Sequence, residues 1–343
     1  MSLPTPHPTG AARLTLLIPG LLWPNPALQD TVFDLHLPAL QTLLGWSRLS
    51  RRSPCDEPGW WRDLAGTDLP AAPLRLLGLG EKADSTWLCA DPVHLRFEQS
   101  TMVLEDPAKL ALDAAESAAL YATLAPLIAE FGTLHATTPN QWHLQPKDDA
   151  PPCPALLSDL IGQPAKDLLP AGDAYRPWRR LFNEVQMALH DHPVNQAREA
   201  AKKPVINSLA LWGAGALPAA PAQAAPFDTV LSDDEVHHGI ARLLGAQAAA
   251  LPERFTGAQG RTLAACPQLL VPTRLRDAIR WREGLQILED AWFAPALAAL
   301  NQGQLRELTL IGLGDGTCLE ARSTALDKLK FWRRPRPLTE LHP

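Results

Sequence analysis

The stretch HDHPVNQAR (190–198) holds the densest group of side chains that could do chemistry. His190 and His192 could ligate a metal, but histidines that end a helix more often offset its dipole. Asn195 and Arg198 together offer amide and guanidinium donors of the kind that bind an anion. The alternative is that they anchor a loop. The stretch therefore predicts either an anion site or a structural turn.

Three other stretches are weaker candidates. ADPVHL (90–95) carries an Asp and a His three positions apart on an extended segment, where they face opposite ways, so His94 is interpreted as structural. His237 and His238 are neighbours on a predicted helix and point about 100° apart, which disfavours one shared metal. VINSLALWGAGALP (205–218) runs from an apolar strand into Gly-x-Gly. That pattern either cradles a phosphate or forms a turn with nothing bound.

The elements that would position these residues alternate between strand and helix. RLTLLI (13–18) is a short apolar run that ends at a Pro-Gly pair, as buried strands do. GLGDG (312–316) is typical of a hairpin turn. Helices are predicted over 35–47, 113–131 and 173–191, and strands over 87–97, broken by Pro92, and over 306–313. This alternation predicts the α/β class.

Two local signals predict where helices begin and break in the C-terminal half. Ser232 and Glu235 form a capping box, with Ser232 as the N-cap of the helix that follows. The helical pattern over 274–300 contains Pro295, where a bend or break is expected because proline cannot continue the hydrogen-bond ladder.

Composition limits the class of protein. The chain has 343 residues and a net charge of −6, with 46% hydrophobic and 20% charged residues. This is a globular composition for one large or two modest domains, and the acidity argues against a nucleic-acid partner. The five scattered cysteines lack a CxxC spacing and suit reduced thiols. There is no signal-peptide pattern and no apolar run of ~18 residues. We expect a cytoplasmic protein that binds neither membranes nor nucleic acid.

Several segments, read in order, resemble the archaeal-type cofactor-independent phosphoglycerate mutases of the alkaline phosphatase superfamily. LPAG (169–172), HPVNQAR (192–198) and NSLALWGAG (207–215) stand in the family's order and at similar spacing. The likeness runs from about 13 to 332. It is nearest to a bacterial branch labelled RpfE-type regulatory or phosphoglycerate mutase-like proteins.

The resemblance implies a fold and a domain organisation. We expect an α/β protein with an alkaline-phosphatase-like core sheet that carries helices on both faces, interrupted by a smaller α/β domain. The core would comprise 1–77 and 203–335, and the inserted domain, similar to the family's transferase domain, 78–202. Residues 336–343 would form a tail. The resemblance also favours a structural role for Gly213 and Gly215: they would shape the strand that returns from the inserted domain to the core, and they would not bind a phosphate.

The resemblance also implies a reaction. The family needs two divalent metal ions held by Asp and His, and a serine that becomes phosphorylated. Two acidic positions are retained here, as Asp277 and Asp315. The other ligand positions are occupied by Pro19, Trp281, Gly316 and Thr324. Ser47, Ser50 and Ser53 lie in the region of the nucleophile, but none has the expected surroundings.

Loss of this many ligands removes the charge and geometry that hold two dications, so no metal cofactor is expected. The sequence thus favours a phosphoglycerate mutase-like protein with a degenerate two-metal site, a regulatory or phosphorylated-metabolite-binding protein without mutase activity. The ligand contacts would be His192, Asn195, Arg198 and Asn207.

Two alternatives stay open. One is an active phosphoglycerate mutase or phosphatase whose rearranged site uses Asp277, Asp315 and histidines from elsewhere, with manganese or magnesium. The other is a protein–protein interaction scaffold that uses the Pro/Ala stretch at 219–226 or the basic C-terminus, with an unknown partner.

Overall fold

The computed structural model describes residues 12–24, 28–98, 101–164, 172–221, 225–330 and 332–341. The chain divides into two compact units. The core unit comprises Met1–Thr67 and Ala220–Pro343, and the inserted unit comprises Asp68–Ala219. The core unit has a seven-stranded sheet and the inserted unit a four-stranded antiparallel sheet. The predicted α/β class with a smaller inserted α/β unit is therefore confirmed. Parts of two quoted stretches, 169–171 and 222–224, lie outside the described residues.

The strands and helices follow one another along the described chain as two series. The strands are β1 Ala12–Pro19, β2 Arg48–Arg52, β3 Thr86–Val93, β4 Leu95–Glu98, β5 Thr101–Leu104, β6 Gly132–Ala136, β7 Trp142–Pro146, β8 Ser208–Ala216, β9 Thr229–Leu231, β10 Gln247–Ala249, β11 Arg261–Ala265, β12 Leu305–Gly314 and β13 Thr317–Thr324. The helices are α1 Leu28–Val32, α2 Pro38–Trp46, α3 Glu57–Ala65, α4 Ala71–Leu79, α5 Ala114–Ile128, α6 Arg176–His190, α7 Pro193–Ala200, α8 Glu235–Leu243, α9 Leu270–Arg274, α10 Ala278–Leu288 and α11 Ala294–Asn301.

The sheet of the core unit has the strand order β10-β9-β11-β1-β12-β13-β2. Along the order from β10 to β12, every pair of neighbouring strands is parallel. β13 pairs antiparallel with β12, and β2 pairs antiparallel with β13. β1 lies between β11 and β12, and its residues Leu16, Leu17 and Ile18 are fully buried. A strand covered on both faces is apolar throughout and does not alternate, which explains the run RLTLLI. The turn predicted at GLGDG joins β12 to β13 as a hairpin.

The long helical pattern after β11 is divided. α9 ends at Arg274 and α10 begins after the N-cap Asp277. A π-helical turn, Glu289–Phe293, then precedes α11. Pro295 lacks an N–H and its ring would collide with the carbonyl four residues earlier in a regular α-helix, and the wider π turn relieves this conflict. The bend or break predicted at Pro295 takes the form of this π turn, and the chain stays helical from α10 through α11.

Helix α8 begins at Glu235, and its N-cap lies two residues after the predicted one. Its N-cap is Asp234, whose side chain accepts from the Val236 N–H at 2.8 Å. Ser232, the predicted cap, accepts from the Asp234 N–H at 3.1 Å through its Oγ. Ser232 is therefore not the N-cap, because its hydroxyl closes the turn that leads into the helix.

The inserted unit packs helices on the sheet β6-β7-β3-β8, with a separate β4–β5 hairpin. Its apolar core includes Trp142, Leu120 and Leu189. Pro92 does not break β3, which continues to Val93 and pairs with β8 there. β7 pairs with β3 only at Leu88 and Cys89. At Pro92 the edge of β3 that faces away from β8 therefore has no partner among the described strands, so the missing N–H of proline is tolerated.

The junctions between the units lie at 67/68 and 219/220, whereas the sequence placed them at 77/78 and 202/203. Two elements account for the difference. α4 packs against β8, and β8 pairs with β3 along most of its length. Both elements therefore belong to the inserted unit.

Candidate functional site

The carboxyl end of β1 is where a sheet of parallel strands offers a site, because ligands of open α/β sheets bind there. β1 ends at Pro19, which pairs with Leu313 of β12. Gly20 follows with φ 85°, and a Cβ on it would lie 2.3 Å from the Leu269 carbonyl oxygen. Only glycine fits this turn. Its carbonyl oxygen accepts two side-chain donors, Thr273 Oγ1 and Trp281 Nε1, each at 2.8 Å.

Trp281 fills the space at this end of β1. Its side chain is fully buried, and its ring centroid lies 5.0 Å from that of Trp23. Leu21 and Leu22, which follow the turn, are buried as well. The strand end therefore faces two indoles and aliphatic side chains, an environment in which an unpaired ion would be costly.

The resemblance implies two metals here, and the residues present do not fit them. The side chains of Pro19 and Trp281 supply no ligand atom for a hard dication. Asp277 accepts the Arg280 N–H at 3.1 Å as the cap of α10, and Asp315 lies in the β12–β13 turn with φ 48°. Within the described ranges, no group of three or more His, Cys, Asp and Glu side chains could hold a metal.

The strand register separates the predicted ligand positions. Gly316 lies just beyond Gly314, at the same end of the sheet as Pro19. Thr324 pairs with Glu307, and Glu307 pairs with Arg13. Six residues of strand separate Arg13 from Pro19, roughly 20 Å. The structure thus places Thr324 at the opposite end of the sheet, where its Oγ1 donates to Asp327 at 2.9 Å.

The three candidate serines have structural surroundings. Ser47 is buried, and its Oγ donates to the Leu43 carbonyl at 2.6 Å and lies 2.7 Å from the Ser323 Oγ. Ser50 is exposed on the edge strand β2. The Ser53 Oγ donates to the carbonyl of Gly316, one of the predicted metal positions, at 3.3 Å.

Asn195 and Arg198 of the inserted unit lie on α7 and point into the protein. The Asn195 amide donates to the carbonyls of Leu189 and Ile206 at 2.7 and 2.6 Å and accepts the Ile206 N–H at 2.8 Å. Its side chain thereby joins the end of α6 to the segment before β8. An amide with these partners is satisfied.

Arg198 is 1% exposed and donates from all three of its nitrogens. Nε donates to the Pro204 carbonyl at 2.7 Å, Nη1 to Glu116 Oε2 at 2.6 Å, and Nη2 to the Leu110 carbonyl. The guanidinium therefore clamps three separate segments together. The anion site stays a prediction, and these bonds count against it because an anion would have to displace them.

His192 and Asn207 are also engaged. His192 is the N-cap of α7: its Nδ1 accepts the Val194 N–H at 3.2 Å, which leaves Nε2–H to donate to the Thr123 Oγ1 at 3.0 Å. Burial lowers the pKa of His192. The Asn207 amide bonds both backbone groups of Leu95, at 2.7 and 2.8 Å. The side chain thus makes the two hydrogen bonds to the first residue of β4 that a neighbouring strand would otherwise make.

Replacing Arg198 by Ala is expected to lower the free energy of unfolding by about 2–3 kcal/mol, because Glu116 and two carbonyl oxygens lose their donor. Urea denaturation followed by tryptophan fluorescence measures this loss. The control is Arg180→Ala on the exposed face of α6, where a change within about 0.5 kcal/mol is expected. Arg198 would instead be a ligand contact if the variant kept its stability and lost only the thermal shift given by 3-phosphoglycerate.

A buried ion pair in the inserted unit carries no signal in the sequence. Arg75 of α4 and Asp91 of β3 are each 3% exposed and bond in bidentate fashion, at 2.7 and 2.9 Å. Asp91 also accepts the Trp142 N–H at 2.9 Å and the Trp212 Nε1–H at 2.8 Å. The Arg75 guanidinium lies 5.0 Å from the Trp212 ring centroid, a cation–π distance. The Arg75 guanidinium, the Asp91 carboxylate and the two tryptophan N–H groups therefore all have hydrogen-bond partners, as a buried ion pair requires.

His143 extends this network. Its Nε2 accepts the Arg75 Nε–H at 3.0 Å, so its Nδ1–H donates to the Thr137 Oγ1 at 2.8 Å. Burial, and then the positive charge of Arg75, lowers the pKa of His143 to about 2. The imidazole is therefore neutral at physiological pH and acts as an acceptor for Arg75. This arrangement positions helix α4 on the sheet.

The Gly-x-Gly of WGAG packs against protein. A Cβ on Gly213, whose φ is 67°, would lie 2.9 Å from the Ala71 Cβ. A Cβ on Gly215 would lie 2.5 Å from Pro70. The two glycines thus let the start of α4 approach β8 closely.

His237, one of the two adjacent histidines, belongs to a second buried cluster, in the core unit. His237 Nε2 lies 2.7 Å from Glu57 Oε1, and Nδ1 lies 2.8 Å from the Ser232 Oγ. Burial opposes its charge, but the bond to Glu57 prevails and raises the pKa of His237. Ser232 is 2% exposed and already accepts a backbone N–H. The cluster therefore joins α8 to α3 and offers no accessible nucleophile.

Comparisons with known proteins agree with this fold. No protein-family model matches the chain, and no curated protein matches its sequence. The PH0037 protein from Pyrococcus horikoshii aligns over 91% of this chain and 87% of its own, with a TM-score of 0.51 and 12% identity. A cofactor-independent phosphoglycerate mutase from Thermoplasma acidophilum DSM 1728 aligns over 92% and 90%, with a TM-score of 0.43 and 15% identity. The first likeness shows a shared fold, and at 12% identity it shows nothing further.

None of the helices in the described ranges is both long and apolar enough to span a bilayer.

Proposed function

We propose that this is a cytoplasmic phosphoglycerate mutase-like protein of the RpfE-type branch, with a degenerate two-metal site. In this proposal it binds a phosphorylated small molecule and acts as a regulatory protein without mutase activity. The family resemblance of HPVNQAR and NSLALWGAG supports the lineage, and the carboxyl end of β1 supports the loss of catalysis.

The observation that carries the proposal is the position of Trp281. Its indole occupies the end of β1, donates to the Gly20 carbonyl and packs on Trp23. Two-metal catalysis of phosphoryl transfer needs charged ligands and room for both ions and substrate. A buried indole at this point supplies neither.

Metal analysis and a turnover assay test the proposal together. The purified protein, incubated with manganese and dialysed, is expected to retain far less than one metal ion per chain. It is also expected to give no conversion of 3-phosphoglycerate above a blank. Stoichiometric metal with turnover would contradict the proposal and favour an active enzyme with a rearranged site.

The ligand part of the proposal has its own measurement. A molecule that binds only the folded state raises the melting temperature, so 3-phosphoglycerate or pyrophosphate is expected to raise it in a concentration-dependent way. A melting temperature unchanged by both compounds would contradict the ligand part. An interaction scaffold would then account better for the protein.

A further inference from the structure

The core unit has an open hollow lined by arginines, which we call the arginine hollow. Its volume is about 660 Å³. The charged side chains around it are Arg48, Arg333, Arg334, Arg336 and Glu340. Four guanidinium groups against one carboxylate give the lining a net positive charge of about three, in a chain whose net charge is −6.

The hollow is built by close packing of the C-terminal segment on α2. A Cβ on Gly45 would lie 2.2 Å from the Arg334 carbonyl oxygen, so the bare backbone of α2 lets this segment approach. The Arg336 N–H donates to the Gln41 carbonyl at 2.9 Å. Leu338 is 5% exposed and joins the apolar core. The segment predicted to begin a tail at 336 is therefore fixed in place.

Backbone contacts hold one arginine in position. Arg333 Nη1 donates to the carbonyls of Trp46 and Ser47 at 2.8 and 3.1 Å, at the end of α2. A cation suits this end because helix carbonyls are unpaired there. Arg48 follows directly, at the start of the edge strand β2.

Among the described residues, no close carboxylate neutralises the charges of the other three arginines. Arg336 lies 3.8 Å from Glu340, a loose pair in which both side chains are half exposed. Within the described part of the chain, Arg48 and Arg334 form no ion pair, although many of the other arginines do. Guanidinium groups bind phosphate oxygens in bidentate fashion. Several of them around one hollow suit an anion with more than one negative charge.

The shape and the charge balance favour a small ligand over a macromolecule. Hollows of ~300–1,000 Å³ are the usual size for small-molecule sites. Nucleic acid binding needs a basic stripe along a surface, and an anionic membrane attracts an extended basic patch. Here four arginines line one concave region of an acidic chain.

We propose that the arginine hollow binds a small phosphate ester or diphosphate. The proposal rests on the ligand part of the proposed function and is independent of the loss of catalysis. It places the anion in the core unit, at a site other than Asn195 and Arg198.

Calorimetric titration of the full chain with inorganic pyrophosphate, and separately with 3-phosphoglycerate, tests the site. The double variant Arg48→Gln/Arg334→Gln is expected to weaken binding at least about tenfold, because two charge-assisted contacts are lost. The control is Arg51→Gln/Arg280→Gln, which removes the same charge at exposed positions outside the hollow. That variant is expected to keep the affinity within about twofold, the effect of net charge alone.

Each result separates this proposal from the proposed function. Binding that both double variants weaken equally, or that neither weakens, would overturn the hollow as the site and leave the proposed function standing. Mutase turnover together with selective loss of binding in the Arg48/Arg334 variant would support the hollow and contradict the proposed function. Binding of an RNA oligonucleotide or anionic vesicles that pyrophosphate does not displace would overturn the small-anion proposal.

Discussion

Replacing Asp91 by Asn is expected to lower the free energy of unfolding of the inserted unit by about 3–5 kcal/mol, the cost of breaking a buried ion pair. The substitution keeps the side-chain shape but leaves the Arg75 guanidinium charged, buried and without its bidentate partner. It also turns a donor toward the Trp142 N–H or the Trp212 indole N–H, both of which need acceptors. Urea denaturation followed by circular dichroism measures the loss.

Two further variants show whether the cost comes from the unpaired charge. Arg75→Met/Asp91→Leu removes both charges and should recover part of the loss, since an apolar pair of similar volume is often no less stable than a buried ion pair. Glu184→Gln breaks the exposed pair with Arg180 and should change stability by less than about 0.5 kcal/mol. A loss below about 1 kcal/mol for Asp91→Asn would show that water or rearrangement solvates Arg75.

Trp281→Ala is expected to cost about 3–5 kcal/mol of stability in the core unit, the usual range for removing a buried aromatic side chain. The loss combines a cavity beside Trp23 with a missing donor to the Gly20 carbonyl. Trp281→Phe keeps most of the ring and removes the donor, so an intermediate loss of about 1–2 kcal/mol is expected. Thermal and urea unfolding monitored by far-ultraviolet circular dichroism measure both.

The control for this series is on the same helix. Ile279 is 71% exposed, and Ile279→Ala should change stability by no more than about 0.5 kcal/mol. If Trp281→Ala were as mild as the control, the end of β1 would be adaptable. The indole would then not be what excludes metal ions from it.

Local patterns predicted the elements of the fold well. The apolar run before Pro19 is β1, and the helical pattern over 113–131 is α5, Ala114–Ile128. Such signals depend on the backbone and on side chains a few positions apart. The N-cap of α8 was placed two residues too early because Ser232 and Asp234 both suit a cap. In the structure the Ser232 Oγ contacts His237 of the same helix instead.

The candidate site was harder to predict because its residues act across long sequence separations. Asn195 and Arg198 were predicted as donors to an anion, which stays a prediction, and the acceptors of Arg198 in the structure include Leu110 and Glu116, more than 80 residues away. Residue type alone does not show whether a donor faces a ligand or a carbonyl of the same chain. The placement of Thr324 depended on strand register, which no local pattern fixes.

The interrupted core unit has a consequence for synthesis on the ribosome. Leu14 of β1 pairs with Thr262 and Leu308, so its partners emerge roughly 250 and 290 residues later. At ~5–20 residues per second this delay lasts roughly 10–60 s. The inserted unit is continuous in sequence and is complete well before then. For that interval the apolar β1 segment lacks both of its strand partners, and such an unpaired segment is prone to aggregation unless a chaperone covers it.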